Sequence, residues 1–201
     1  MKVLTCSQLS PEWWDAKVGS IGGTRYGQVV STKKNRLIYN LINERLNGHC
    51  MQDDYTNDNI EFGNDNEPIA RELYIEQSGI DFKQVGMIKS DYSPFHHASP
   101  DGLSDSGIVL EIKSTPNGEI HVQRFFEGVE SSYMPQILNY FAVSDEVKEV
   151  HWLSYCPYRE ERPLIVYIFK AEHYQDKIKD ARTKIAAIEI EIDRKIQEFT
   201  F

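Results

Sequence analysis

The stretch SPDGLSDSGIVLEIKS, residues 99–114, decides how this chain of 201 residues is read. Ser99-Pro100-Asp101-Gly102 is a turn signal, and Ile108-Val109-Leu110-Glu111-Ile112-Lys113 is an aliphatic strand carrying two charges. Residues two apart on a strand share a face, so Val109, Glu111 and Lys113 point one way and Leu110 and Ile112 the other. With Leu110 and Ile112 directed into a core, a carboxylate and an ammonium lie side by side in a segment otherwise suited to burial. Gly102, Leu103 and Gly107 permit a hairpin that folds Asp101 back beside Glu111. Two carboxylates then converge with one lysine. Metal-assisted phosphodiester cleavage needs such a set: oxygen ligands for Mg2+ and a group that orients the attacking water. On this reading Asp101 and Glu111 hold the metal, the Ile112 carbonyl adds a ligand, and Lys113 positions the water and offsets phosphate charge. A plainer reading makes Asp101 a turn residue and Glu111–Lys113 a surface pair on an edge strand, and three residues alone leave both open.

Working outward, the region from Phe82 to Lys113 alternates in short apolar and polar runs, the signature of a β-meander. MPQILNYFAV, with Pro135 in its first turn, predicts a helix. HWLSYCPY and PLIVYIFK predict two further strands, the second so apolar that it is expected at the centre of the sheet. Upstream, Ser10-Pro11 marks an entry turn before PEWWDAKVGSIGGTRYGQVVS, and a helix is predicted from Lys33 to Leu46, ended by Gly48. MQDDYTNDN reads as a loop. A second helix is predicted from Asp65 to Gln77, burying Ile69, Leu73 and Ile75, with Gly79 beyond its end. From about 172 to 199, Ile178, Ile185, Ile188, Ile192, Ile196 and Phe199 recur at helical spacing between charges. This amphipathic helix is expected to pack on its own domain.

With 40% hydrophobic residues the chain suffices for a single domain over 1–201. Cys6, Cys50 and Cys156 have no C-x-x-C spacing, which argues against a disulfide framework or a zinc or iron–sulfur site. The segment MKVLTCSQLSPEWW lacks the apolar core of a signal peptide, and no apolar run reaches the roughly 20 residues that span a bilayer. A cytoplasmic protein with no membrane partner is expected, in a host cell if phage-encoded. The net charge of −9 opposes a nucleic-acid ligand unless cations cluster locally. Lys17, Arg25, Lys33, Lys34 and Arg36 are the candidate cluster.

Four ordered motifs between Trp14 and Tyr140 resemble the λ-exonuclease-like (YqaJ-type) phage recombination nucleases of the PD-(D/E)xK superfamily. Ser99-Pro100-Asp101-Gly102-Leu103 with Glu111-Ile112-Lys113-Ser114 is similar to the family core. Phe62-Gly63-Asn64-Asp65-Asn66-Glu67 resembles its G-x-x-x-E helix start, which implies that Glu67 joins the metal site. Gln136-Ile137-Leu138-Asn139-Tyr140 resembles the Q-x-x-x-Y motif, implying that Gln136 and Tyr140 serve the catalytic centre. Residues 14–24 resemble the segment that grips a 5′-phosphate; by position this implies Lys17 and Thr24, with Arg25 adjacent. Lysine stands where the family has arginine, so a point charge replaces a bidentate fork. The resemblance implies an α/β fold, a mixed central β-sheet flanked by helices with a restriction-endonuclease-like core. It further implies an exonuclease using Mg2+, for which Mn2+ is expected to substitute. The implied reaction digests double-stranded DNA ends 5′-to-3′ to leave 3′ overhangs for single-strand annealing. The implied partners are two further copies in a toroidal homotrimer and a single-strand annealing protein. A sequence- or structure-specific endonuclease, or a non-catalytic DNA-binding module, remains the alternative. His96 and His97 are not assigned, since neighbours on a strand face opposite ways.

Overall fold

The computed structural model describes residues 1–50 and 57–201. In chain order the described elements are β1 (Lys2–Leu4), α1 (Pro11–Lys17), α2 (Gly23–Val29), α3 (Lys34–Asn47), α4 (Asp58–Ser78), β2 (Met87–Lys89), β3 (His97–Ala98), β4 (Gly102–Leu103), β5 (Ile108–Ser114), α5 (Gly118–Glu127), α6 (Met134–Val143), β6 (Glu149–Tyr155), β7 (Leu164–Lys170) and α7 (Gln175–Thr200). The fold is mixed α/β. A four-stranded sheet runs β4-β5-β6-β7, with β5 and β6 parallel and the outer pairs antiparallel.

Both faces of β5 are covered, which is why the strand is aliphatic on both sides. Leu110 and Ile112 pack with Leu153 and Tyr155 of β6 against Ala70 and Tyr74 of α4. Val109 packs with Val150 and Trp152 against Ile137, Tyr140 and Phe141 of α6. The alternation read from the sequence therefore holds, and Glu111 and Lys113 share the α6 side with Val109. A third cluster joins Leu37, Ile38 and Leu41 of α3 to Ile185, Ile188 and Ile192 of α7, so the isoleucine stripe packs on its own chain. Phe199 is the exception, lying 78% exposed near the helix end.

Several expectations are corrected. The expected meander divides: β2 pairs with β1 on one side and β3 on the other in a separate three-stranded sheet, and only the β4–β5 hairpin enters the main one. PLIVYIFK becomes β7, an edge strand, while β6 occupies the interior of the sheet. The apolar run misled because one β7 face packs on α5 and the core while Ile168 remains 53% exposed. The helix expected at Asp65 starts at Asp58, capped by Asn57, whose side chain accepts from the Ile60 N–H. Of the predicted MQDDYTNDN loop, residues 51–56 lie outside the described part, and Asp58 and Asn59 are helical. Consequently Gly63 and Glu67 sit within α4 rather than at a helix start, with Pro68 inside the helix. Ile69 is exposed; the buried face carries Ala70, Arg71 and Tyr74, with Leu73 and Ile75 packed beside it. The α5 helix was not foreseen. Asn117 caps it by accepting from the Glu119 and Ile120 N–H groups.

Candidate active site

The β4–β5 hairpin brings Asp101 to Glu111. The Asp101 N–H donates to the Leu110 carbonyl at 3.0 Å, and the Ile112 N–H donates to Asp101 Oδ2 at 2.6 Å. Ile112 thus enters the site through its backbone. Glu111, 1% exposed, has both oxygens engaged: Lys113 Nζ pairs with Oε1 and the Tyr140 hydroxyl donates to Oε2. The Tyr140 oxygen also lies 3.2 Å from the Ser99 carbonyl. Glu67 arrives from α4, its Oε1 accepting from Arg71 Nη1 at 3.1 Å.

The electrostatics mark a concentration of negative charge. Burial, then the charges of Glu111 and Glu67, push the Asp101 carboxyl well above its ordinary range. Burial also raises Glu67; Arg71 opposes this, and Glu111 adds to it. Lys113 moves up, because the Glu111 and Asp101 carboxylates outweigh burial, which would lower it. The lysine is therefore a firmly protonated cation rather than a proton acceptor.

Among the described residues, no three carboxylate, imidazole or thiol side chains stand close enough together to hold a metal ion as they are placed. Glu67 and Glu111 rest on Arg71 and Lys113 instead. The donor chemistry nevertheless fits a hard divalent cation: three carboxylates act on one another across a partly buried space, and the cost shows as the upward shift of the Asp101 carboxyl.

A cavity of about 570 Å³ adjoins this centre, lined in part by Trp13, Trp14, Lys17, Thr24, Arg25, Arg36, His97, Gln136 and Tyr140. Gln136 and Tyr140 lie one turn apart on α6, and both line this cavity. Lys17 Nζ lies 3.8 Å from the Trp13 ring centroid and 4.8 Å from that of Trp14. Burial foremost, helped by the Arg25 charge, lowers its pKa to about 8. Trp13 is also structural, donating from Nε1 to the Gly86 carbonyl at 2.9 Å. Arg25 lines the same cavity, but its guanidinium is committed to buried Glu44 and to the Ser20 carbonyl, the latter at 2.8 Å. Lys34 faces Glu191 at 3.9 Å, so the expected basic cluster is partly neutralised. His96 and His97 do face opposite ways: His96 Nε2 lies 3.0 Å from Asn139 Oδ1, and His97 Nδ1 2.7 Å from Ser20 Oγ.

Sequence reasoning missed two arginines. Arg71 donates to both Glu67 and the Asp101 carbonyl, and its i, i+4 spacing from Glu67 was a readable signal. Buried Arg124 of α5 lies 3.3 Å from the Lys113 carbonyl and 3.0 Å from Glu130. No local pattern pointed to that contact.

An α/β core that gathers two carboxylates and a lysine on one hairpin, with a glutamate from a flanking helix, defines a nuclease-like class of site. The chain belongs to the YqaJ-like viral recombinase domain family, whose model matches residues 12–146. The resemblance read from the four motifs is thereby borne out. Among solved structures the fold is similar to an alkaline exonuclease from Laribacter hongkongensis, with a TM-score of 0.83 and 24% identity over 95% of this chain and 96% of that one. A second structure of that enzyme, in complex with dAMP, matches with a TM-score of 0.83 and 23% identity over 94% and 96%. A phage-related exonuclease from Haemophilus somnus 129PT is more distant, with a TM-score of 0.54 and 14% identity over 96% and 91%. No curated protein matches the chain significantly.

Proposed function

We propose that the chain is a metal-dependent DNA exonuclease that digests linear double-stranded DNA from the 5′ end and leaves 3′ overhangs suited to single-strand annealing. Family membership and the likeness to alkaline exonucleases support the exonuclease reading. The observation that carries the proposal is Tyr140: its hydroxyl bonds Glu111 while its side chain lines the cavity that holds Lys17 and Thr24. A centre able to cleave a phosphodiester and a pocket able to hold a terminal phosphate therefore meet at one side chain.

Asp101, Glu111 and Glu67, with the Ile112 carbonyl, are the groups that would hold Mg2+, or Mn2+ in its place. When bound, the metal supplies Lewis acidity and an acidified water at neutral pH. Lys113, kept protonated by its carboxylate neighbours, orients the incoming water and offsets charge gathering on the phosphate oxygens. Tyr140 and Gln136 hold Glu111 in register with the pocket. Lys17 is better placed than Arg25 to meet a 5′-phosphate, since Glu44 claims the arginine. Assembly as a toroidal trimer and work beside an annealing protein in the cytoplasm complete the proposal.

The test uses linear duplex DNA labelled at one 5′ end, with and without a 5′-phosphate, beside a covalently closed circle. Wild-type protein with Mg2+ is expected to release label from the linear DNA as mononucleotide and to spare the circle. Lys113→Ala should lose about a hundredfold or more in rate. Cutting of the circle would replace the exonuclease with an endonuclease, and absence of metal-dependent cleavage would leave only DNA binding.

A further inference from the structure

Arg71 is buried on α4, its side chain only 9% exposed, and has no part in the chemistry proposed above. Its Nη1 lies 3.1 Å from Glu67 Oε1 and 2.6 Å from the Asp101 carbonyl oxygen. One guanidinium thus ties a carboxylate on a helix to the backbone of a turn in the sheet, two elements joined here by no covalent neighbour. The need for such a tie is visible in α4 itself. Pro68, directly after Glu67, has no N–H to give the Asn64 carbonyl, so the turn presenting Glu67 lacks one helical hydrogen bond. Asn66 Nδ2 donates to the Phe62 carbonyl at 2.8 Å and leaves the Asn64 carbonyl without that helical partner. A glutamate on a locally weakened turn, 28% exposed at its side chain, has rotamers to spare unless something holds it.

We propose that Arg71 is a positioning residue: by fixing Glu67 against the Asp101 turn it sets the affinity of the carboxylate cluster for a divalent cation. This rests on the reading of Glu67, Asp101 and Glu111 as the metal-holding groups. Charge alone predicts the opposite, because a cation beside three carboxylates repels an incoming metal and its removal should tighten binding. The sign of the effect therefore separates positioning from mere charge balance.

The experiment is calorimetric titration of the full chain with Mn2+, without DNA, beside thermal melts in chelator. Wild type, Arg71→Gln and Arg71→Lys are compared. Positioning predicts that Arg71→Gln weakens Mn2+ binding about ten- to a hundredfold, the range seen when groups that orient metal ligands are removed. Arg71→Lys, which keeps the charge but replaces the rigid planar guanidinium with an ammonium on a shorter reach, should fall between the two. Unchanged or tighter binding by Arg71→Gln overturns the proposal. If Arg71→Gln fails to fold, Arg71→Lys decides alone: wild-type affinity overturns the proposal, and weaker binding at an undiminished melting temperature supports it. Wild-type protein that binds no Mn2+ would overturn the metal site and this proposal together. Wild-type binding with unchanged variants overturns only the role of Arg71.

Discussion

At the residue scale, two side chains have pKa values shifted in opposite directions, and each shift carries its own dependence on pH. Lys17 has its pKa drawn down to about 8 by burial, so it carries a charge below that value and loses it above. If it grips the 5′-phosphate, preference for 5′-phosphorylated over 5′-hydroxyl ends should fall as pH rises through 8, on the order of tenfold for a charged hydrogen bond. The ratio of kcat/KM values for the two ends, taken at pH 7 and 9.5, checks this. Lys17→Arg should keep the preference at the higher pH, and a flat profile in wild type would remove Lys17 from the role. Asp101 is shifted the other way, upward from 3.8. A carboxyl raised in the folded state gives stability that is complete below its unfolded value and is lost as pH climbs through the folded one. Asp101→Asn removes that loss, and its side-chain oxygen can still accept from the Ile112 N–H. In chelator at pH 7.5 the variant should melt higher than wild type by a few degrees, about 2–4 °C for each kcal/mol, with the gap closing toward pH 4.

At the scale of elements, α7 and α4 show how differently helices are specified. The α7 stripe is strictly amphipathic, and Ile185, Ile188 and Ile192 are all nearly inaccessible against α3. Ile188→Ala should cost about 2–5 kcal/mol, seen as a lower urea midpoint with unchanged slope. An effect well below about 1 kcal/mol would mean that α7 packs loosely. The α4 helix has no comparable pattern. Gly63 and Pro68 lower its intrinsic propensity, and its start at Asp58 is set by the Asn57 cap and by packing of Ala70 and Tyr74 on β5. A window read for propensity therefore begins the helix too late, and places Glu67 at its start instead of beside the sheet.

At the scale of the whole molecule, a charge of −9 makes long-range attraction to DNA weak. The cations that face the cavity are few, and Arg25 and Lys34 have acidic partners within the chain. Retention on DNA by a closed ring would compensate, and light scattering on the purified protein should give three times the monomer mass. A monomer in solution would oppose the toroid without touching the site. No helix among the described residues is long and apolar enough to cross a membrane.

The sequence by itself determined the strand and its facing: the two-residue period places Glu111 and Lys113 together, and Gly102 and Gly107 allow Asp101 to turn back. It also determined the α3, α6 and α7 helices, because hydrophobic spacing and local caps are written in neighbouring residues. Only the tertiary structure decided that PLIVYIFK lies at an edge, since apolar content does not say which strand pairs on both sides. It alone decided that Arg25 is spent on Glu44, and that Arg71 and Arg124 reach the backbone at Asp101 and Lys113. Those contacts join residues 19, 30 and 11 positions apart, from separate elements. Local periodicity fixes which way a side chain faces, but its partner depends on how the helices settle on the sheet.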